Sequence, residues 1–207
     1  METLHFSRSA AVACMFAFCI LAAAGPRTLN AQETASSRPL GEIGVSEDSL
    51  QLRYIQPRVQ PNANIESGEL GFGLFLNEAR DFVASSNYYV EASSLRFNRL
   101  GIKAGPVAYA ALLSTINTDV FALALGAEAR YLLLRNPRVT IVGQVAYAPD
   151  ILTFGSADNM WDVVARAEIP LTDRVIGFGG YRLFEIELLE GKTELEESIH
   201  LGLRYRF

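Results

Sequence analysis

The feature that most constrains this chain is the alternation of residues 195–207. Apolar side chains stand at Leu195, Ile199, Leu201, Leu203, Tyr205 and Phe207, broken only by Glu197, and polar, charged or small ones at Glu196, Ser198, His200, Gly202, Arg204 and Arg206. A period of two belongs to a strand with one apolar and one polar face. The segment runs to an aromatic residue, Phe207. In water an exposed Phe gains nothing, whereas at a membrane interface the ring is well placed.

The same rhythm fills the chain from Leu40 onward. Alternating segments at 41–46, 49–56, 68–76, 82–94, 100–113, 119–133, 138–148, 159–170, 174–188 and 195–207 are separated by turn residues. The expectation is an all-β fold: an antiparallel transmembrane up-and-down β-barrel over residues 40–207. It has ten strands, or eight if residues 41–56 stay outside the wall. A bulge is expected at Gly105-Pro106, because Pro cannot donate to a ladder. In 174–188, Ile176, Phe178, Phe184 and Ile186 form the apolar face with Glu185 and Glu187 opposite. Arg182 then falls on the apolar face, which points to a register shift near Gly179-Gly180.

Residues 1–31 read as a cleaved signal peptide. Arg8 precedes an apolar run at 10–24 of about 15 residues, too short for the ~18–20 that span a bilayer. Cleavage after Ala24 or Ala31 fits the small residues there. Residues 32–39 form a disordered lead-in. The chain's two cysteines, Cys14 and Cys19, both lie in the signal, so the exported part must be held together without disulfides. A closed, fully hydrogen-bonded barrel does that. No later stretch has the uninterrupted apolar length of a membrane helix. The net charge of −5 gives no support for nucleic-acid binding.

An even strand count puts both termini on the periplasmic side. The connections at 97–99, 134–137 and 171–173 are then inner turns, with 57–67 a longer inner exception. Those at 77–81, 114–118, 149–158 and 189–194 are outer loops. Arg96, Arg99, Arg135, Arg138 and Arg174 gather at the inner end. Glu78, Asp81, Asp119, Asp150, Asp158, Glu190 and Glu194 gather at the outer end.

Alternation also suits a soluble periplasmic lipocalin-like carrier, with its apolar face inward. Segments of about 11–15 residues exceed the ~5–6 usual in soluble strands and suffice for a tilted transmembrane strand. The polar faces carry both charge signs. These features favour the membrane barrel.

The alternating final strand, with Leu203, Tyr205 and Phe207 on one face, resembles the C-terminal signal of bacterial outer-membrane barrels. That resemblance implies the barrel-assembly machinery as a partner, and outer-membrane lipid and lipopolysaccharide as surroundings. Tyr147, Pro149, Asp150, Leu152, Gly155 and Asp158 resemble the YfaZ family of outer-membrane proteins, with a looser likeness from about Asp119 to the C-terminus. This implies a barrel or porin-like protein without a settled activity.

Ser198 and His200 share one strand face. A Ser-x-His pair with a nearby acid resembles lipid A deacylases, in the reverse chain order, and defines an alternative in which the barrel acts on outer-membrane lipid. Neighbours two apart on a strand stand about 6.6 Å apart along it, so proton transfer from Ser198 to His200 would need favourable rotamers. The expectation here is no enzyme: His200 belongs to a lumen network. The other lumen residues are Arg53, Glu69, Glu91, Lys103, Glu128, Arg130, Asp162, Arg166, Glu168, Glu185, Glu187, Glu196, Arg204 and Arg206. Buried charges need partners, and a ten-stranded bore is only slightly wider than one that side chains fill. A largely plugged or narrow small-solute pore follows. No metal-binding or cofactor pattern is present. The oligomeric state is left open.

Overall fold

The computed structural model describes residues 38–58, 65–92, 99–114, 117–188 and 191–207; the signal at 1–31, most of the lead-in, Arg96 and Glu190 lie outside them. The strands are β1 (Leu40–Val45), β2 (Ser49–Arg58), β3 (Ile65–Asn77), β4 (Phe82–Ala92), β5 (Leu100–Leu113), β6 (Thr118–Arg135) and β7 (Arg138–Ala148), followed by β8 (Thr153–Phe154), β9 (Ala157–Pro170), β10 (Val175–Leu188) and β11 (Gly191–Arg206). Every pairing is antiparallel. Neighbours in sequence pair in turn, β7 pairs with β9, and β1 pairs with β11. The wall is thus a closed, up-and-down barrel of ten strands among the described residues, with no free sheet edge. Residues 41–56 belong to it, since β1 pairs with β2 on one side and closes the barrel against β11 on the other.

The two-residue β8 is an addition to the wall. Strand β7 stops at Ala148 while β6 continues to Thr118, and β8 pairs with the extended part at Phe121 and Ala122. A 3₁₀ turn, Asp150–Leu152, carries the chain across to it.

The start of β1 at Leu40, the end of β11 at Arg206 and the connections at 136–137 and 171–174 lie at one end, here the turn end. Strands β6 and β7 are joined there through a cis Asn136-Pro137 bond, and the Thr172 hydroxyl accepts from the Val175 amide at 3.0 Å between β9 and β10. The loop end holds the connections at 78–81 and 149–156. Connection 189–194 is not a long loop: β10 reaches Leu188 and β11 resumes at Gly191.

Three local expectations need correction. Gly105 and Pro106 keep register with β6, and the β4 ladder merely skips Tyr88 and Tyr89, so the missing Pro donor costs pairs without a bulge. The pairs of Gly179 and Gly180 are also regular; β10 shifts against β11 at Phe184/Glu185 instead. There Leu195 is the extra residue, and it turns into the buried core rather than outward with Ile199 and Leu201.

The wall is apolar outside and charged inside. Leu201, Leu203 and Tyr205 are 62%, 48% and 41% exposed, while Glu128, Glu168 and Arg204 are 3%, 3% and 5% exposed. This is the reverse of a soluble barrel. Aromatic pairs mark the outer surface near the loop end: Tyr147 against Trp161 at 4.3 Å and Phe121 against Phe154 at 5.9 Å between ring centroids. Near the turn end, Tyr205 and Phe207 meet edge to face at 5.3 Å. Inside, a side chain at Gly202 would overlap the ring of Phe178 and one at Gly126 the hydroxyl of Tyr89, so these glycines let two lumen rings lie against the wall.

Candidate functional site: the charged lumen

The lumen is filled in tiers. At the loop end the core is apolar, with Phe75, Leu113, Met160, Phe184, Ile186 and Leu195 buried together. Just below stands Arg182. Its Nε and Nη2 donate to Asp162 Oδ1 and Oδ2 at 2.9 and 3.0 Å, and its Nη1 donates to Glu196 Oε2 at 3.3 Å. The guanidinium also lies 5.1 Å from the ring centre of Phe75 and 4.7 Å from that of Phe184. Tyr109 donates to Asp162 from across the lumen at 3.0 Å. Glu196 accepts from Ser49 and Gln51, each at 2.8 Å, and from Ser198 at 3.0 Å.

A second ionic tier fills the turn half. Glu42 accepts from Arg166 Nη1 and Nη2 at 3.1 and 3.2 Å, and also pairs with Arg204. Glu168 receives Arg166 Nε at 3.0 Å, Arg204 Nη1 at 3.2 Å, and Arg130. From Arg130 the chain of charges continues to Glu128 at 3.4 Å, on to Lys103 at 4.0 Å, and from there to Glu69 at 2.6 Å. Strands β1, β3, β5, β6, β9 and β11 all contribute, so the tier crosses the bore. Burial demands this reciprocity, because a desolvated charge without a partner is costly.

Between the tiers lies a small chamber of about 80 Å³, lined in part by Glu42, Arg53, Asn87, Gln144, Asp162 and His200. Arg53 spans it, donating to Gln144 Oε1 and Asn87 Oδ1, each at 3.3 Å. Beyond the ionic tier a larger cavity of about 450 Å³ opens at the turn end, where Arg130, Arg138, Arg204 and Arg206 face it.

The structure brings most of the sequence-predicted lumen residues together: Arg53, Glu69, Lys103, Glu128, Arg130, Asp162, Arg166, Glu168, Glu196, His200 and Arg204 all face inward. Glu91 stands opposite Lys103 in the β4–β5 ladder, and Arg206 reaches only the cavity mouth. Glu185 and Glu187 are the exceptions. Phe184 and Ile186 are fully buried in the lumen, so the two glutamates alternate outward, where Glu187 is exposed and accepts from Asn159 at 2.6 Å. Sequence reasoning missed Glu42 and Arg182, the centres of the two tiers. Arg182 did give a signal: a cation amid a supposedly lipid-facing row is too costly to leave there, and that alone could have turned the face of β10 around.

Ser198 donates to Glu196, and no hydrogen bond joins it to His200 among the described residues. The imidazole faces inward, edge-on to Phe178 at 6.0 Å. Among the described residues no His, Cys, Asp and Glu cluster is arranged to hold a metal ion.

No family model matches the chain, and no curated protein matches it. Among solved structures it is similar to one described as a bacterial polysaccharide outer membrane secretin, at 12% sequence identity and a TM-score of 0.45, over 77% of this chain and 57% of that one. The chain therefore spans little more than half the length of the structure it matches.

Proposed function

We propose that this chain is an outer-membrane barrel, structural or conducting only ions and very small solutes, whose bore is closed by its own side chains. The observation that carries the reading is the pair of ionic tiers crossing the lumen, centred on Arg182 and on Glu42 with Glu168. Groups paired in a narrow, poorly hydrated space attract more strongly than in bulk water. Opening the bore would mean breaking several such pairs at once. The apolar outer wall supports residence in a bilayer, with the turn end toward the periplasm and the loop end outward. Leu203 and Tyr205 on the outer face of β11, with Phe207 just beyond it, are the residues we assign to recognition by the assembly machinery.

Planar-bilayer recording of the purified protein tests the reading. The expected wild-type conductance lies well below that of general porins. Arg166→Ala removes a cation from both Glu42 and Glu168, and should raise conductance while lowering stability. A steady wild-type conductance on the porin scale would overturn the proposal.

A further inference from the structure

The chamber between the tiers holds two polar atoms with no hydrogen-bond partner among the described residues, Asn87 Nδ2 and His200 Nδ1. Both side chains are more than nine-tenths buried, at 8% and 3% exposure, and both line the chamber. Unpaired buried polar atoms are costly and call for a partner. The amide nitrogen of Asn87 can only donate, and the imidazole nitrogen donates in the tautomer that carries its proton there.

Arg53 completes the pattern. Arg166, Arg182 and Arg204 each bind carboxylates directly. The only hydrogen bonds of Arg53 are the two amide oxygens already described, with no carboxylate in contact among the described residues. The chamber's own carboxylates already have partners: Glu42 has Arg166 and Arg204, Asp162 has Arg182 and Tyr109. The chamber therefore presents a guanidinium with no carboxylate in direct contact and two free polar nitrogens, while its lining carboxylates are already ion-paired.

We propose that this chamber binds a small monovalent anion of the halide class, held by Arg53, the Asn87 amide and the His200 ring. A volume of about 80 Å³ has room for a halide and several waters. Gluconate, a six-carbon hydroxy acid far larger than a halide, is the reference anion.

The test uses the full chain, refolded or purified in detergent. Crystals grown in sodium bromide should show an anomalous peak within hydrogen-bond distance of Arg53 and Asn87. In solution, replacing gluconate by chloride at constant ionic strength should raise the unfolding midpoint by about 2–4 °C, as a ligand bound only to the folded state does. Asn87→Asp places a carboxylate beside Arg53. That variant should unfold at a higher temperature than wild type in gluconate and should not respond to chloride. Ordered water alone in the chamber, or equal midpoints in chloride and gluconate for the wild type, would overturn the proposal even if the variant does not fold. Conductance is a separate matter: a porin-scale current would remove the closed-bore reading, while the bromide map would still decide the site.

Discussion

Arg182 shows how one residue holds a lumen together. Its guanidinium is saturated by Asp162 and Glu196 and flanked by the rings of Phe75 and Phe184. Arg182→Met would leave both carboxylates buried without their cation, a loss on the order of 3–5 kcal/mol. Arg206→Met, at the open mouth of the turn-end cavity, should stay within about 0.5 kcal/mol of wild type. Urea unfolding of the refolded proteins checks both, and equal stabilities would refute the central role given to Arg182. Arg166, Glu168 and Arg204 were legible in the sequence because each sits on the polar side of a clean alternation. Glu42 was not, since β1 is short and carries glycines at positions 41 and 44. Its importance comes from lying opposite Arg204 in the closing pair of strands, a contact between distant parts of the chain that no local pattern records.

Strand β10 teaches a different lesson. Its length and limits follow from the alternation, yet its two faces read backwards from the sequence. The apolar row Ile176, Phe178, Phe184 and Ile186 looks lipid-facing, but Phe184 and Ile186 fill the apolar loop half of the lumen, Phe178 lines the chamber and Ile176 the turn-end cavity. Glu185 and Glu187 face outward on the part of the wall nearest the loop end, opposite Trp161 and Asn159 of β9. A row of like polarity fits either side of such a wall, and only the rest of the lumen decides between them. The assignment can be tested by thiol labelling, because the native cysteines are confined to Cys14 and Cys19. In the folded protein Glu187→Cys should react readily with a bulky maleimide, whereas Phe184→Cys should label only after unfolding. Equal protection of the two thiols would put the face assignment in error. The bulge at Leu195 was hidden for the same reason: Leu195 matches the odd-numbered apolar row, and only its pairing with β10 reveals the extra residue.

At the scale of the whole molecule, the inverted distribution of polarity makes the strongest demand. A surface with Ile199 at 72% and Leu125 at 72% exposure forms part of an apolar patch far larger than soluble proteins leave in water. The protein should fractionate with the outer membrane, need detergent for extraction, and run faster on gels unheated than boiled. Recovery in the soluble periplasmic fraction without detergent would argue for a carrier instead. Ten strands and antiparallel closure were legible because each strand repeats one simple rule. What fills the bore was not, because it depends on side chains that meet across the lumen.

The seam between β1 and β11 has a consequence in time. Glu42 binds Arg166 from 124 positions away along the chain and Arg204 from 162 away. Contacts of such long range form slowly, since the loop they close must be ordered first. Until the final strand arrives, Glu42 lacks Arg204 and Glu168 lacks one of its three cations. A partly threaded barrel is therefore left with charges it has not yet neutralised, and water must remain inside to solvate them. Neutralising the interior charges is thus the last event of assembly, coupled to the meeting of the first strand with the last.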